Sequence, residues 1–567
     1  MSGTELFTAN RATTTVSSGG TTAPAGGTQE TWTVASSSMF GAAATGVSQF
    51  HVADAAAPSE VIAVTNVSGT TWTVTRGAES TTPVTHSAGF TIYQVASAGA
   101  LTQLRVTDWV NAVTQFGATG NGGTNDWAAI QAALLSFGTL GGATQGSGGN
   151  VYLPAGTYLI TQPLIIPSGV NLLGAGITAT VIRLQNGSNS DVIQWSTYQS
   201  SAQAAILGVS ASAIGNAFYS GVRSLRVHGD SFGTTVAGYH HGINVTTNPL
   251  NTAAGSDPDF DPLPFISDVL IEACTGDGFF HAGRSGALLH KVISEYNNGN
   301  GYTPSYDTTM LDCLANSNGI AGGYFNHGSD VGAGCKFYNN GTVNQWVSGT
   351  SYTPGNCVMS AGVEYFNILA TSGTTAPASD ATHWTALSAT SPAAWGWDFY
   401  WDSNASEQSW AGVDSQEPTA GSYYLKGATA VTVSGVSNRH NFNQNTSTQN
   451  SSNPNSYACV TLDGATGCNI SLSYSVLNNA NYAARLINGT ASCNVLVTGD
   501  ASLQAPVSAD TVTSGNYLVI NGVPALGQSS SAQAVTGNAQ TIATAGLNVV
   551  RVTASSPRTG TILQAGT

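Results

Sequence analysis

Four stretches of this chain end in glycine at nearly equal intervals: Ile271 to Gly278, Val292 to Gly299, Asp312 to Gly319 and Gly334 to Gly341, with the end glycines 21, 20 and 22 residues apart. Each of these glycines follows Asp or Asn (Asp277, Asn298, Asn318, Asn340), the side chains that best accept a left-handed turn after glycine itself. One turn residue per coil, repeated along an axis, is what a parallel solenoid requires. Each coil then pairs its backbone with the coils above and below, so only the two ends expose bare edges.

Composition agrees with an all-β reading. Charged residues make up 8% of the chain, with 14 Lys+Arg and 29 Asp+Glu, where an ordinary soluble domain carries roughly 25%. Long helices with charged outer faces are therefore excluded, and the surface must be built from Ser, Thr, Asn, Gln and the 67 glycines. A net charge of -15 with no Lys/Arg cluster repels phosphate backbones, so no nucleic-acid partner is expected. No apolar run is long enough to span a bilayer, and the opening Met1 to Phe7 has neither a basic nor a long apolar stretch, so neither membrane insertion nor a secretion signal is expected. Seven cysteines (274, 313, 335, 357, 459, 468, 493) form no Cys-x-x-Cys pair, which argues against a disulfide or zinc framework. Cys313 and Cys335, 22 residues apart, read as small apolar residues stacked in consecutive coils.

Along the chain, residues 1–104 alternate Thr, Val, Ser and aromatics, and Thr31-Trp32-Thr33-Val34 is echoed by Thr71-Trp72-Thr73-Val74. This predicts a small separate β-domain. A solenoid is expected over 105–341, led by an amphipathic helix over 126–137 with Trp127, Ile130, Leu134 and Phe137 on one face behind Thr124-Asn125. Residues 342–390, richer in aromatics and prolines, read as an inserted mini-domain; coils resume over 391–515, and 516–567 form a last β-rich segment. At about 22 residues per coil, roughly 310 residues give about 14 coils.

The stretch Val113 to Ala133, followed by Val151-Tyr-Leu-Pro-Ala-Gly-Thr-Tyr158, closely resembles the opening segment of pectate-lyase-like right-handed parallel β-helix proteins, phage tail spikes among them. That family includes lyases, hydrolases and silent adhesins, so the resemblance speaks to fold more than to activity. Its polygalacturonase-type set of paired aspartates, Gly-His-Gly and Arg-Ile-Lys is not found, and His240-His241-Gly242 is the nearest fragment. Residues 1–104, through Gly46 to Asp54 and Thr71 to Gly77, resemble attachment domains of tail proteins from phages of actinobacteria. The insert, with Trp346, Tyr352-Thr-Pro-Gly355, Tyr365, Pro377 and Trp384, is similar to small chitin-binding-type carbohydrate modules, although Asn356 replaces their usual Asp. The final stretch from Leu547 resembles the opening of a terminal β-domain that continues further in other family members. These resemblances imply a homotrimeric virion tail spike or fibre, contacting other tail or baseplate proteins through residues 1–104 and a host surface glycan through the solenoid. A secreted bacterial polysaccharide-degrading enzyme fits the phage-like N-terminal residues less well.

Glycoside hydrolysis needs two carboxylates about 5 to 9 Å apart, one of them protonated. Asp307 and Asp330 precede Cys313 and Cys335 by six and five residues, so they are expected nearly above one another, where like charge would raise one pKa. Asp398, Asp402 and Glu407 form a second candidate set amid Trp395, Trp397, Phe399, Tyr400 and Trp401. Trp397 and Trp401, with Trp346, Tyr365 and Trp384 of the insert, are candidate sugar platforms. Each could equally be core, and each acid a solvated surface group. Gly174 to Ala179 fits a dinucleotide fingerprint, but Thr180 to Leu184 continues as strand rather than helix, so a tight turn is expected and no cofactor. Asp257, Asp259 and Asp261 alternate in a proline-rich loop without full calcium-loop spacing, so no metal is expected. Arg284, beside His281 and Asp277, is the one group suited to lyase chemistry.

Overall fold

The computed structural model describes residues 4–6, 12–99, 108–137, 148–195, 205–208, 219–231, 238–245, 263–282, 286–389, 392–438, 458–474, 482–499, 507–509, 516–520 and 523–526. The acidic triplet at 257, 259 and 261, Arg284, and all residues beyond 526 lie outside the described residues. The chain forms two compact units, Met1–Thr107 and Asp108–Thr567. No helix among the described residues is long and apolar enough to cross a membrane.

In the first unit the strands Thr13–Ser18, Gln29–Val34, Ser48–Asp54, Ile62–Ser68, Thr71–Thr75 and Thr91–Val95 close on themselves, because Ser48–Asp54 pairs with both Ile62–Ser68 and Thr91–Val95. The repeated Thr-Trp-Thr-Val explains the core. Gln29–Val34 and Thr71–Thr75 run antiparallel with Trp32 opposite Trp72, and alternation turns Trp32, Val34, Trp72 and Val74 inward, all at 2% exposure or less. Phe40, Phe50 and Phe90 pack on these rings. One end of the barrel is ionic. Buried Arg76 forms a fork on Glu60 (2.7 and 2.8 Å) and reaches Glu30 (3.2 Å), while His86 lies between Asp54 (2.7 Å) and Glu60 (3.2 Å). Burial raises the Glu60 pKa, but the hydrogen bond from Arg76 and the backbone N–H groups of Val84 and Gly77 outweigh it and hold the carboxyl below its ordinary value.

The second unit is a parallel β-helix. Its leading helix, Trp127–Leu135, buries Ile130 and Leu134. Asn125 Oδ1 accepts from the Trp127 N–H (3.2 Å), whereas the Asp126 carboxyl instead ties down the preceding loop at Thr119 and Gly120. The predicted tight turn after Gly174 joins Val170–Gly174 to Thr180–Leu184. One long sheet includes Gly221–His228, Phe265–Glu272, Leu288–Glu295 and Ser409–Gln416; a second has eleven strands, from Leu164–Ile166 through Phe279–His281, Tyr302–Thr303, Gly323–Phe325 and Trp397–Trp401 to Val507–Ala509. The expected 14 coils become eleven among the described residues, because several connections exceed 22 residues, as between Trp195 and Ile243.

The Asn/Asp-Gly repeat also has a different cause from the one expected. The left-handed non-glycine residues in these turns are Ala273, Tyr296, Ser317 and Asn339, upstream of the expected positions, and of the four end glycines only Gly341 (φ 90°) is left-handed as expected. Asn297, Asn318 and Asn340 point inward instead. Asn297 Nδ2 donates to Asn318 Oδ1 (3.0 Å), Asn318 Nδ2 to Asn340 Oδ1 (3.0 Å), and Asn340 Nδ2 to Asp398 Oδ1 (2.7 Å). The glycines answer to crowding between coils: a Cβ on Gly319 would lie 1.9 Å from the Asn298 carbonyl oxygen, and one on Gly299 2.0 Å from the Tyr239 hydroxyl.

Between Gly323–Phe325 and Trp397–Trp401 the insert forms its own sheet of Asn344–Gln345, Cys357–Ser360, Val363–Asn367 and Trp384–Leu387. Tyr352, Val358, Tyr365 and Trp384 are its core, with Trp346 half-buried against them. Phe366 and Leu387 pack with Tyr239 of the β-helix.

Candidate active site

Each coil must turn from the second sheet back into the first, and consecutive coils do so with one non-glycine residue in the left-handed region: Asp307 (φ 57°), Ser329 (φ 65°), Glu407 (φ 55°) and Ala430 (φ 55°). The Asp307 N–H donates to Gly328 O (3.2 Å), Ser329 to Ser406 O (2.9 Å) and Glu407 to Thr429 O (3.1 Å), which stacks these turns in register. Asp307 and Glu407 thus stand exposed, two coils apart, about 9 to 10 Å along the axis at the usual strand spacing.

Asp330, beside Ser329, turns inward and is 1% exposed. Its Oδ1 accepts from the Thr308 N–H (3.0 Å) and its Oδ2 from Gln408 Nε2 (3.0 Å). Burial raises its pKa to about 8, the Thr308 N–H opposes that rise, and the neighbouring Asp307 charge adds to it. At neutral pH Asp330 is therefore largely protonated, as the acid in glycosidic acid-base chemistry must be. Tyr306, 41% exposed, leans on the His327 ring at 4.5 Å, and Leu288, Leu311 and Val331 are exposed at 46, 41 and 45%. Aromatic and aliphatic surface beside carboxyls offers an apolar bed for the C–H faces of a sugar.

Three of the five candidate acids, Asp307, Asp330 and Glu407, thus share one column of turns. The other two do not join it. Asp398 is fully buried at the end of the asparagine ladder, accepting from Asn340 and from Ser415 Oγ (2.6 Å); burial lifts its pKa to about 7 against those two hydrogen bonds. It lies in none of the turns of that column, and its partners belong to the ladder. Asp402 is half-buried on the outer side, taking the Tyr324 hydroxyl (2.9 Å) next to the stacked rings of Tyr400 and Tyr424 (5.1 Å).

Among the expected platforms, Trp401 is wholly buried in the coil core, where no sugar can stack. Strand alternation places it inward with Phe325 and Phe399. Tyr365 (9%) and Trp384 (3%) are core residues of the insert, because so small a sheet has few other large apolar groups to bury. Trp397 (5%) packs edge-on against Tyr424 in a satellite cluster. Trp346 alone keeps partial exposure. The sequence reading missed Gln408, His327 and Tyr306. Gln408 and Asp330 are 78 residues apart in sequence, and only counting coils with the insert removed would have aligned them.

A family model described as rhamnogalacturonase A/epimerase, pectate lyase-like, matches residues 109–414. Mannuronan C5-epimerase AlgE2 of Azotobacter vinelandii is 30% identical over 244 residues, 38% of this chain and 22% of its own length. Alginate lyase 7 of the same organism is 31% identical over 211 residues, 33% of this chain and 22% of its own length, so the chain spans about a fifth of these curated relatives. Among solved structures, the tailspike gp42 of Acinetobacter phage vb_AbaP_AS12 has a TM-score of 0.45 at 12% identity, over 77% of this chain and 67% of that one. ORF18 of Geobacillus virus E2 has a TM-score of 0.41 at 15% identity, over 82% and 68%. The matched residues amount to more than half of the 567 and run from the leading helix through the coils that carry the turn column, and the chain belongs to this pectate lyase-like family of right-handed parallel β-helices.

Proposed function

We propose that this chain is a virion tail spike or tail fibre, a homotrimer that recognises a host surface polysaccharide and hydrolyses it at the Asp307/Asp330/Glu407 column. The observation that carries the catalytic part is the burial of Asp330 one coil from the exposed Asp307, which raises the Asp330 pKa. In the reaction Asp330 gives its proton to the glycosidic oxygen as the bond from that oxygen to the anomeric carbon breaks. Asp307, about one strand spacing away, attacks that carbon as the nucleophile; water then displaces it and gives its proton back to Asp330, while Glu407 adds negative charge beside the oxocarbenium-like transition state. The tail role is supported by the likeness of residues 1–104 to phage tail attachment domains, and the substrate class by the names of the curated relatives, which act on polysaccharides.

A second reading, a receptor-binding adhesin without bond cleavage, is favoured by the 1% exposure of Asp330 and its two satisfied hydrogen bonds. Incubation of the full chain with a panel of actinobacterial envelope polysaccharides, followed by an assay for new reducing ends, separates the two. Release by the wild type that is lost in Asp330→Asn and Asp307→Asn supports hydrolysis. Release undiminished in both variants sinks the site, and binding without release supports the adhesin.

A further inference from the structure

The Asp330 carboxyl is held by a side chain that is itself held. Gln408 is 1% exposed, and its amide uses every hydrogen-bonding position it has. Oε1 accepts from the Trp401 indole N–H (2.8 Å) and the Trp410 indole N–H (3.0 Å); Nε2 donates to Asp330 Oδ2 (3.0 Å) and to the His327 carbonyl. Indole N–H groups only donate. Turning the amide over would set its NH2 against two donors, so the orientation is fixed by chemistry as well as by packing. Both tryptophans are at 1% exposure or less, and their rings contact Phe325 and Phe399 in the coil core.

We propose that Gln408 is a positioning residue for Asp330, locked by the indoles of Trp401 and Trp410 so that one amide N–H always faces Oδ2. This rests on the hydrolytic reading of Asp330. With Thr308 on Oδ1 and Gln408 on Oδ2, each oxygen keeps one lone pair, and the acid proton sits on one of these, directed away from both donors. When that proton leaves, the two N–H groups already point at the new carboxylate and nothing has to reorganise. Trp401, which from sequence would be a sugar platform, acts through Gln408 from inside the coil.

The test is a titration of Asp330 itself, read by infrared difference spectroscopy of the full chain labelled with 13C-aspartate, with Asp330→Asn identifying the band. Loss of an N–H bond to a charged acceptor destabilises the carboxylate, so the midpoint in Gln408→Leu should rise by about one to two units. Trp410→Phe keeps an aromatic ring in the core, adds nothing apolar next to the acid, and releases one side of the amide; its midpoint should rise by a smaller amount, while Trp397→Phe, outside the clamp, should leave it unchanged. A merely structural role for Gln408 predicts no movement in either clamp variant, and that result would overturn the proposal. If Gln408→Leu does not fold, Trp410→Phe decides alone. The clamp and the hydrolytic reading fail on different results. A shifted midpoint with no cleavage of any glycan keeps the clamp and removes the reaction; cleavage that depends on Asp330 with an unmoved midpoint does the reverse.

Discussion

Replacing Asp330 by asparagine should make the stability gap between wild type and variant depend on pH. The folded pKa of about 8 lies above the ordinary 3.8, so the wild-type contribution is complete below the unfolded value and is lost as pH rises through the folded one. Roughly four units at about 1.4 kcal/mol each set a ceiling of about 5 to 6 kcal/mol. Relaxation and water entry around a newly charged group reduce this, and about 2 kcal/mol is the floor we expect. Asparagine does not titrate. With its Oδ1 facing the Thr308 N–H, its NH2 would face Gln408 Nε2, a donor-donor contact costing about 1 to 3 kcal/mol at every pH. The wild type should therefore be the more stable protein near about pH 5, and the gap should close or reverse near about pH 9. Urea unfolding followed by tryptophan fluorescence measures this, since Trp401 and Trp410 lie beside the site and groups not coupled to Asp330 cancel in the difference. A gap constant within about 0.5 kcal/mol across that range would refute a buried protonated Asp330.

Three further outcomes follow from the same contacts. Asn340→Ala takes the acceptor from the buried Asn318 backbone N–H, one of two acceptors from the Asn318 side-chain amide and one donor from buried Asp398, and should cost about 1 to 3 kcal/mol in denaturant unfolding, where an exposed asparagine would cost almost nothing. Glu364 of the insert is wholly buried with neither oxygen hydrogen-bonded among the described residues; burial, then the Asp277 charge, raise its pKa well above the ordinary value, and the Cys357 thiol opposes this. Its stabilising share is lost as pH rises through that value, so hydrogen exchange in Cys357–Ser360 and Val363–Asn367, corrected for intrinsic rate, should quicken in alkali in the wild type and stay level in Glu364→Gln. Arg76→Met strands buried Glu60 without its cation and should cost the first unit about 3 to 5 kcal/mol by thermal unfolding, more than a cut of equal size at exposed Lys426.

What the sequence made legible was whatever recurs at short range. The Thr-Trp-Thr-Val echo led to paired strands with Trp32 opposite Trp72, and the spacing of Cys313 and Cys335 led to buried residues in successive coils. The asparagine repeat was visible, but its role was misassigned, because composition marks a residue suited to a left-handed turn and does not say that an inward amide can serve a neighbouring coil instead. The insert is the larger obstacle. It separates Asn340 from Asp398 by 58 residues, so the end of the ladder looked like an isolated acid among aromatics.

The same interruption removed the parity needed to tell inward from outward side chains after residue 390. The pairing of Gly323 with Phe399 restores it, and that register alone sends Phe399 and Trp401 into the coil while Tyr400 faces out. Trp401 beside carboxyls was read from the sequence as a sugar platform or as core, and the register makes it core. There Gln408 is bonded to the indoles of Trp401 and Trp410 and to Asp330. The apolar bed for a glycan then falls to Tyr306, Leu288, Leu311 and Val331, and substitutions there should weaken glycan binding while leaving the Asp330 titration midpoint where it is.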